Sequence, residues 1–95
     1  MKVSLIQMES LSDKQANLTA VQRLVDEAVE RDRPQLVVFP EHFAFREYNP
    51  DRRRAGAETV GQGVIFETLR SMAVRHRLWV HGGSFCEKGD GCYHN

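Results

Sequence analysis

No apolar stretch in this 95-residue chain approaches the roughly 20 residues a membrane-spanning helix needs. The longest unbroken run is Leu36-Val37-Val38-Phe39, and near the N-terminus Val3, Leu5 and Ile6 give way to Gln7 and Glu9, too soon for a signal-peptide core. A cytoplasmic chain with no membrane partner is the expectation. Neither sign of charge is in excess: thirteen Lys and Arg face thirteen Asp and Glu, for a formal net charge of zero. Such a chain has no overall field to gather nucleic acid or anionic lipid, and no nucleic-acid partner is expected. Cysteine is scarce too. Cys86 and Cys92 are too few for a disulfide scaffold, and in a reducing compartment both thiols stay free. The Gly-containing stretch between them could form a hairpin that sets them opposite each other. A zinc site from Cys86, Cys92, His94 and His81 does not match the usual paired ligand spacings, so no metal and no cofactor is expected.

A hydrophobic content of 41% and a charged content of 27% fit one small folded unit. Val3 to Met8 reads as a strand ended by Glu9-Ser10. Ser12 or Asp13 can cap a helix in which Leu18, Val21, Val25, Ala28 and Val29 recur at helical spacing, widened by Leu24. Gln15, Asn17, Gln22, Arg23 and Asp26 are assigned to its wet side. The segment Arg31 to Pro34 ends it, because the residue before proline is pushed out of the helical region. Leu36 to Phe39 has the continuous apolar pattern of a strand covered on both faces, and Pro40 stops it. Glu41 to Gly63 has no sustained period and reads as a long surface connection. A second helix is expected from about Val64 to Arg75, burying Ile65, Leu69, Met72 and Ala73, followed by a strand from Leu78 to Phe85 with Trp79 packed inside. The order predicts an α/β fold with one largely parallel sheet, whose functional groups collect at the carboxyl ends of the strands.

Glu41 stands one residue past such an end, behind Pro40. Phe39, Phe43 and Phe45 are expected to surround its carboxylate with apolar side chains, an environment suited to a group that trades protons near neutral pH. The structural alternative is a loop carboxylate that caps a turn or pairs with Arg46, and placement alone does not decide between the two. Arg52-Arg53-Arg54 could grip a phosphate or a substrate carboxylate, although three adjacent arginines most simply form solvated surface. His42 beside Glu41 suggests no catalytic couple, since adjacent side chains diverge. His76 suits a helix C-terminus.

Phe39-Pro40-Glu41 after Leu36-Val37-Val38, the preceding helix with Asn17-Leu18, and the later Leu78-Trp79-Val80-His81-Gly82-Gly83-Ser84 together resemble the opening segment of nitrilase-superfamily enzymes. Gln7 in the first strand and Asn95 extend the likeness over essentially the whole chain. The resemblance implies an α-β-β-α sandwich of which residues 1–95 form the N-terminal part, strand-helix-strand-helix-strand and incomplete. It also implies carbon–nitrogen hydrolysis of a small amide or nitrile by a glutamate, a lysine and a cysteine. Only the glutamate carries over, to Glu41. Lys88 falls in the expected hairpin loop, and Cys92-Tyr93 comes too early to be the family's Cys-aromatic nucleophile; both active lysine and thiol are expected beyond the chain. The Pro-Glu-x-Phe-x-Phe order and the Leu78-Trp79 strand look closest to amidases of the deaminated-glutathione and ω-amidase type, for whose carboxylate-bearing substrates Arg46 or the arginine run would supply a counter-charge. The competing expectation is a self-standing α/β binding module that keeps only the strand framework. A lone piece of the sandwich would leave a sheet face and an edge strand bare, so self-association into a homo-oligomer is expected.

Overall fold

In the computed structural model, residues 1–89 are described in full and residues 92–94 by their backbone. Three strands, β1 (Val3–Leu5), β2 (Leu36–Val38) and a third, make one parallel sheet with β2 at its centre. Helix α1 (Lys14–Asp32) joins the first two. After β2 come the short helix α2 (Pro50–Ala55), the two-residue strand β3 (Glu58–Thr59) and helix α3 (Val64–His76), which leads to β4 (Trp79–His81), the third strand. Val3, Leu36 and Trp79 lie side by side across the sheet, as do Leu5, Val38 and His81. A second small sheet pairs β3 in parallel with β5 (Glu87–Gly89) and β5 antiparallel with β6 (Cys92–His94).

Local chemistry explains the boundaries. Asp13 caps α1 by accepting the Ala16 N–H at 3.0 Å, and Arg33 closes it in a left-handed conformation, φ 47°, its N–H returning to the Val29 carbonyl before Pro34 forbids continuation. Helix α3 begins at Gly63, which offers no side chain; Glu58 stands in, accepting the Ile65 N–H at 2.8 Å while its other oxygen meets Lys14 Nζ at 3.0 Å. That buried carboxylate thus has both a charge partner and a helix N–H.

Both long helices pack on the face of the sheet that carries Val37. Leu18, Val21, Val25 and Ala28 from α1 and Ile65 and Met72 from α3 form the core with Ile6, Phe39, Phe43 and Leu78. The opposite face is open. Val3, Leu5 and Trp79 project from it into solvent, with Trp79 at 74% exposure, so Trp79 is not the packing residue its spacing suggested, and β2 is covered on one face instead of two. The described residues therefore supply one helix layer and one sheet layer of an α/β fold.

Several expected elements are trimmed. The outer strands are three residues long because the chain leaves the ladder early: Ile6 makes one more bond, to the Val38 carbonyl, and Gly83 turns β4 away with φ 58°. Residues 41 to 63 are not a plain surface connection, for Phe43, Ala44, Ala57 and Glu58 are buried. Asn17, assigned to the wet side of α1, is 1% exposed. On α3, Thr68 is buried where Leu69 and Ala73 are only half-buried. The hairpin between the cysteines exists, yet Gly89, not Cys86, stands opposite Cys92, and Lys88 lies on β5 opposite Tyr93 instead of in the loop.

Candidate active site

Glu41 occupies the carboxyl end of the central strand. Phe39 extends the β2–β4 pairing by donating its N–H to the His81 carbonyl at 3.0 Å, Pro40 then halts the ladder, and Glu41 makes one further parallel bridge, to Ser84. The next residue, His42, sits in the left-handed region at φ 51° and donates its N–H to Ser84 Oγ at 3.2 Å. Gly83 makes this approach possible. A Cβ built there would lie 2.2 Å from the Pro40 carbonyl oxygen and 2.6 Å from that of Phe39. The Phe-Pro-Glu and Gly-Gly-Ser segments, forty-three residues apart in sequence, are thus the two halves of one turn packing.

The far side of the turn is anchored as firmly. Phe43 is fully buried, stacked on Phe39 with ring centroids 4.9 Å apart and met edge-on by Phe85 at 6.1 Å. Asn17 ties the following residue down: its Nδ2 donates to the carbonyls of Ala44 at 2.8 Å and Leu11 at 2.7 Å, and its Oδ1 accepts the Leu11 N–H at 2.9 Å. The Arg46 N–H reaches the same Leu11 carbonyl at 3.0 Å. An amide side chain buried in a helix is costly unless every polar atom finds a partner, and here each does.

Between these anchors the Glu41 side chain is exposed. The apolar enclosure expected from its neighbours is not formed. Phe39 and Phe43 turn into the core, and Phe45 lies against Gly56, with Lys14 Nζ 5.8 Å from its ring centre. Among the described residues Glu41 makes no ion pair, with Arg46 or any other cation. It opens into a pocket of about 290 Å³ shared with His42, Arg46, Glu47, Tyr48 and Arg53. The three adjacent arginines part company here. Arg53 lines the Glu41 pocket, Arg52 lines a neighbouring one, and Arg54 pairs with Asp51 at 3.4 Å.

A wider groove of about 630 Å³ between α3 and β4, walled by Phe66, Leu69, Trp79 and Val80, carries no acid or nucleophile. Among the described residues no three His, Cys, Asp or Glu side chains converge on a possible metal position. The side chains of Cys92 and His94 lie outside the described residues, and with them the zinc arrangement weighed above. His76 ends α3 as expected, hydrogen-bonded to Asp26 of α1 at 2.9 Å. No helix among the described residues is long and apolar enough to cross a membrane.

The carbon-nitrogen hydrolase family matches residues 2–95, and the chain belongs to that family. A search among curated proteins gives no match. The sequence placed Glu41 one residue past the end of a strand and did not show the residues that hold the turn there. Asn17 could have been found from its place amid the apolar stripe, between Ala16 and Leu18, where a polar residue must either face water or satisfy backbone.

Proposed function

We propose that Glu41 is the acid–base residue of an amidase-type carbon–nitrogen hydrolase acting on a small amide, with deaminated-glutathione and ω-amidase chemistry as the nearest type. Its place at the carboxyl end of β2, within the family match, carries this reading. In the proposed reaction the carboxylate takes a thiol proton so that sulfur attacks the amide carbon, and a lysine stabilises the charge that develops on oxygen. Glu41 then hands the proton to departing ammonia and withdraws one from the water that cleaves the thioester. The carboxylate is exposed and makes no ion pair among the described residues, so it is open to partners entering the pocket.

No lysine or cysteine lines the Glu41 pocket among the described residues. Lys14 is committed to Glu58 and to the Gly56 carbonyl at 2.8 Å, and Lys88 is exposed on β5. The proposal therefore draws the lysine and the thiol from outside residues 1–95, with the open face of the sheet left for a second sheet layer of the sandwich. Ammonia release from small amides and nitriles, measured on the whole polypeptide that carries this chain and on residues 1–95 alone, tests it. The whole polypeptide is expected to hydrolyse amides and residues 1–95 to be silent. Ammonia release by residues 1–95 that vanishes in Cys92→Ala would place the nucleophile within the chain and overturn the proposal.

A further inference from the structure

Two peptide planes flank the Cα of Glu41, and together they set the direction in which its side chain leaves the backbone. The plane from Pro40 to Glu41 is packed against Gly83, where a Cβ would lie 2.2 Å from the Pro40 carbonyl oxygen. The plane from Glu41 to His42 carries the His42 N–H, which donates to Ser84 Oγ at 3.2 Å. Among the described residues no backbone carbonyl receives that N–H, so the hydroxyl is its partner. His42 is left-handed, φ 51°, a conformation costly for a residue with a Cβ and kept only where its surroundings hold it. Ser84 is delivered by the sheet, as the parallel bridge partner of Glu41, and its neighbour Phe85 meets Phe43 edge-on at 6.1 Å. Glu41, His42 and Phe43 are each held by residues 84 and 85, through backbone, hydroxyl and ring in turn.

From this arrangement we infer that Ser84 is a positioning residue for Glu41, acting through the His42 N–H, a reading that rests on Glu41 being the acid–base group. A proton carrier works only while its oxygen stays within hydrogen-bond reach of the atoms it serves, and a displacement of about 1 Å costs on the order of a hundredfold in rate. The Glu41 carboxylate is exposed and has no ion-pair partner among the described residues to aim it, so its backbone must do so. Ser84 is half-buried and does not line the Glu41 pocket. Its removal therefore disturbs the aim of the carboxylate and leaves the substrate's contacts in place. The requirement is for a hydroxyl acceptor at this position, which threonine also meets and alanine does not.

The test is a double-mutant cycle of Ser84→Ala and Glu41→Gln in the whole polypeptide that carries this chain, read as turnover of a small amide. Ser84→Ala is expected to lower kcat about tenfold with KM within about twofold, and Ser84→Thr to stay within about threefold of the parent. In the Glu41→Gln background Ser84→Ala should change the residual turnover by less than about twofold, because no proton carrier is left to aim. A general loss of fold would instead lower both backgrounds alike. Hydrogen exchange in ¹⁵N-labelled residues 1–95 reads the contact without turnover: the His42 amide should exchange about tenfold faster in Ser84→Ala and near the parent rate in Ser84→Thr. Parent kcat in Ser84→Ala, an equal fall in both backgrounds, a rise in KM at unchanged kcat, Ser84→Thr as slow as Ser84→Ala, or unchanged His42 exchange would each overturn the positioning role. Glu41→Gln at parent turnover would overturn the catalytic reading and this inference with it, whereas an inactive Glu41→Gln beside a fully active Ser84→Ala would overturn the positioning role alone.

Discussion

Between Phe39 and Arg53 two sets of side chains alternate along the same stretch of backbone. The inward set, Phe39, Phe43 and Ala44, is buried and locked by ring stacking and by Asn17. The outward set, Glu41, Arg46, Tyr48 and Arg53, is exposed, and Glu41 and Arg53 have no ion-pair partner among the described residues. Packing residues and solvent-facing polar residues thereby share one stretch of backbone. A rigid base under an unsatisfied, solvent-facing group is the arrangement that holds a reactive atom in place without neutralising it. On the proposed reading, inward changes move stability and outward changes move function, with little exchange between the two.

The largest effect should come from Phe43→Ala, which empties the centre of the stack and is expected to cost about 3–5 kcal/mol, read as a lower midpoint in urea. Asn17→Ala comes next. It strips the partner from the buried Ala44 carbonyl and from the Leu11 N–H and should cost about 2–3 kcal/mol by the same measurement; a loss under about 0.5 kcal/mol would mean that water replaces the amide and that Asn17 is not an anchor. Gly83→Ala introduces a methyl group against the Pro40 carbonyl in a left-handed backbone position and should cost about 1–3 kcal/mol. Its shifts in an amide NMR spectrum should centre on Pro40-flanking residues Phe39 and Glu41, forty-four and forty-two positions away in sequence. The smallest stability effect belongs to Trp79→Lys on the open sheet face, within about 0.5 kcal/mol. That variant should nonetheless reduce self-association of the chain in size-exclusion chromatography, because the exposed rows Val3-Leu36-Trp79 and Leu5-Val38-His81 are mostly apolar.

Much of the fold was legible from periodicity. The four-residue apolar run at Leu36 marked the central strand, the helical stripe from Leu18 to Val29 marked α1, and strand-proline-glutamate placed Glu41 at the sheet's carboxyl edge. The rest depended on distances that a local pattern does not encode. Nothing near Asn17 says that it reaches Ala44, and nothing near Gly83 says that its hydrogen replaces a Cβ against Pro40. Phenylalanines flanking Glu41 in sequence point the other way in space, because residues on either side of a turn alternate between core and solvent. Trp79 shows a related limit: period-two alternation separates the two faces of a strand without telling which face receives a covering layer. One signal was present and overlooked. Asn49-Pro50 is a helix start, with Asn49 Oδ1 accepting the N–H groups of Asp51 and Arg52 at 3.0 Å, and reading it would have divided the long connection and set Arg53 on α2.

The division between base and tip is tested most directly by Glu41→Gln, made in the whole polypeptide that carries this chain and followed by amide turnover and thermal unfolding on the same sample. The substitution keeps shape and removes the exchangeable proton. Turnover is expected to fall by about a hundredfold or more while stability stays within about 0.5 kcal/mol. Turnover within a few-fold of the parent, or a fall in turnover matched by loss of the fold, would contradict the role assigned to Glu41.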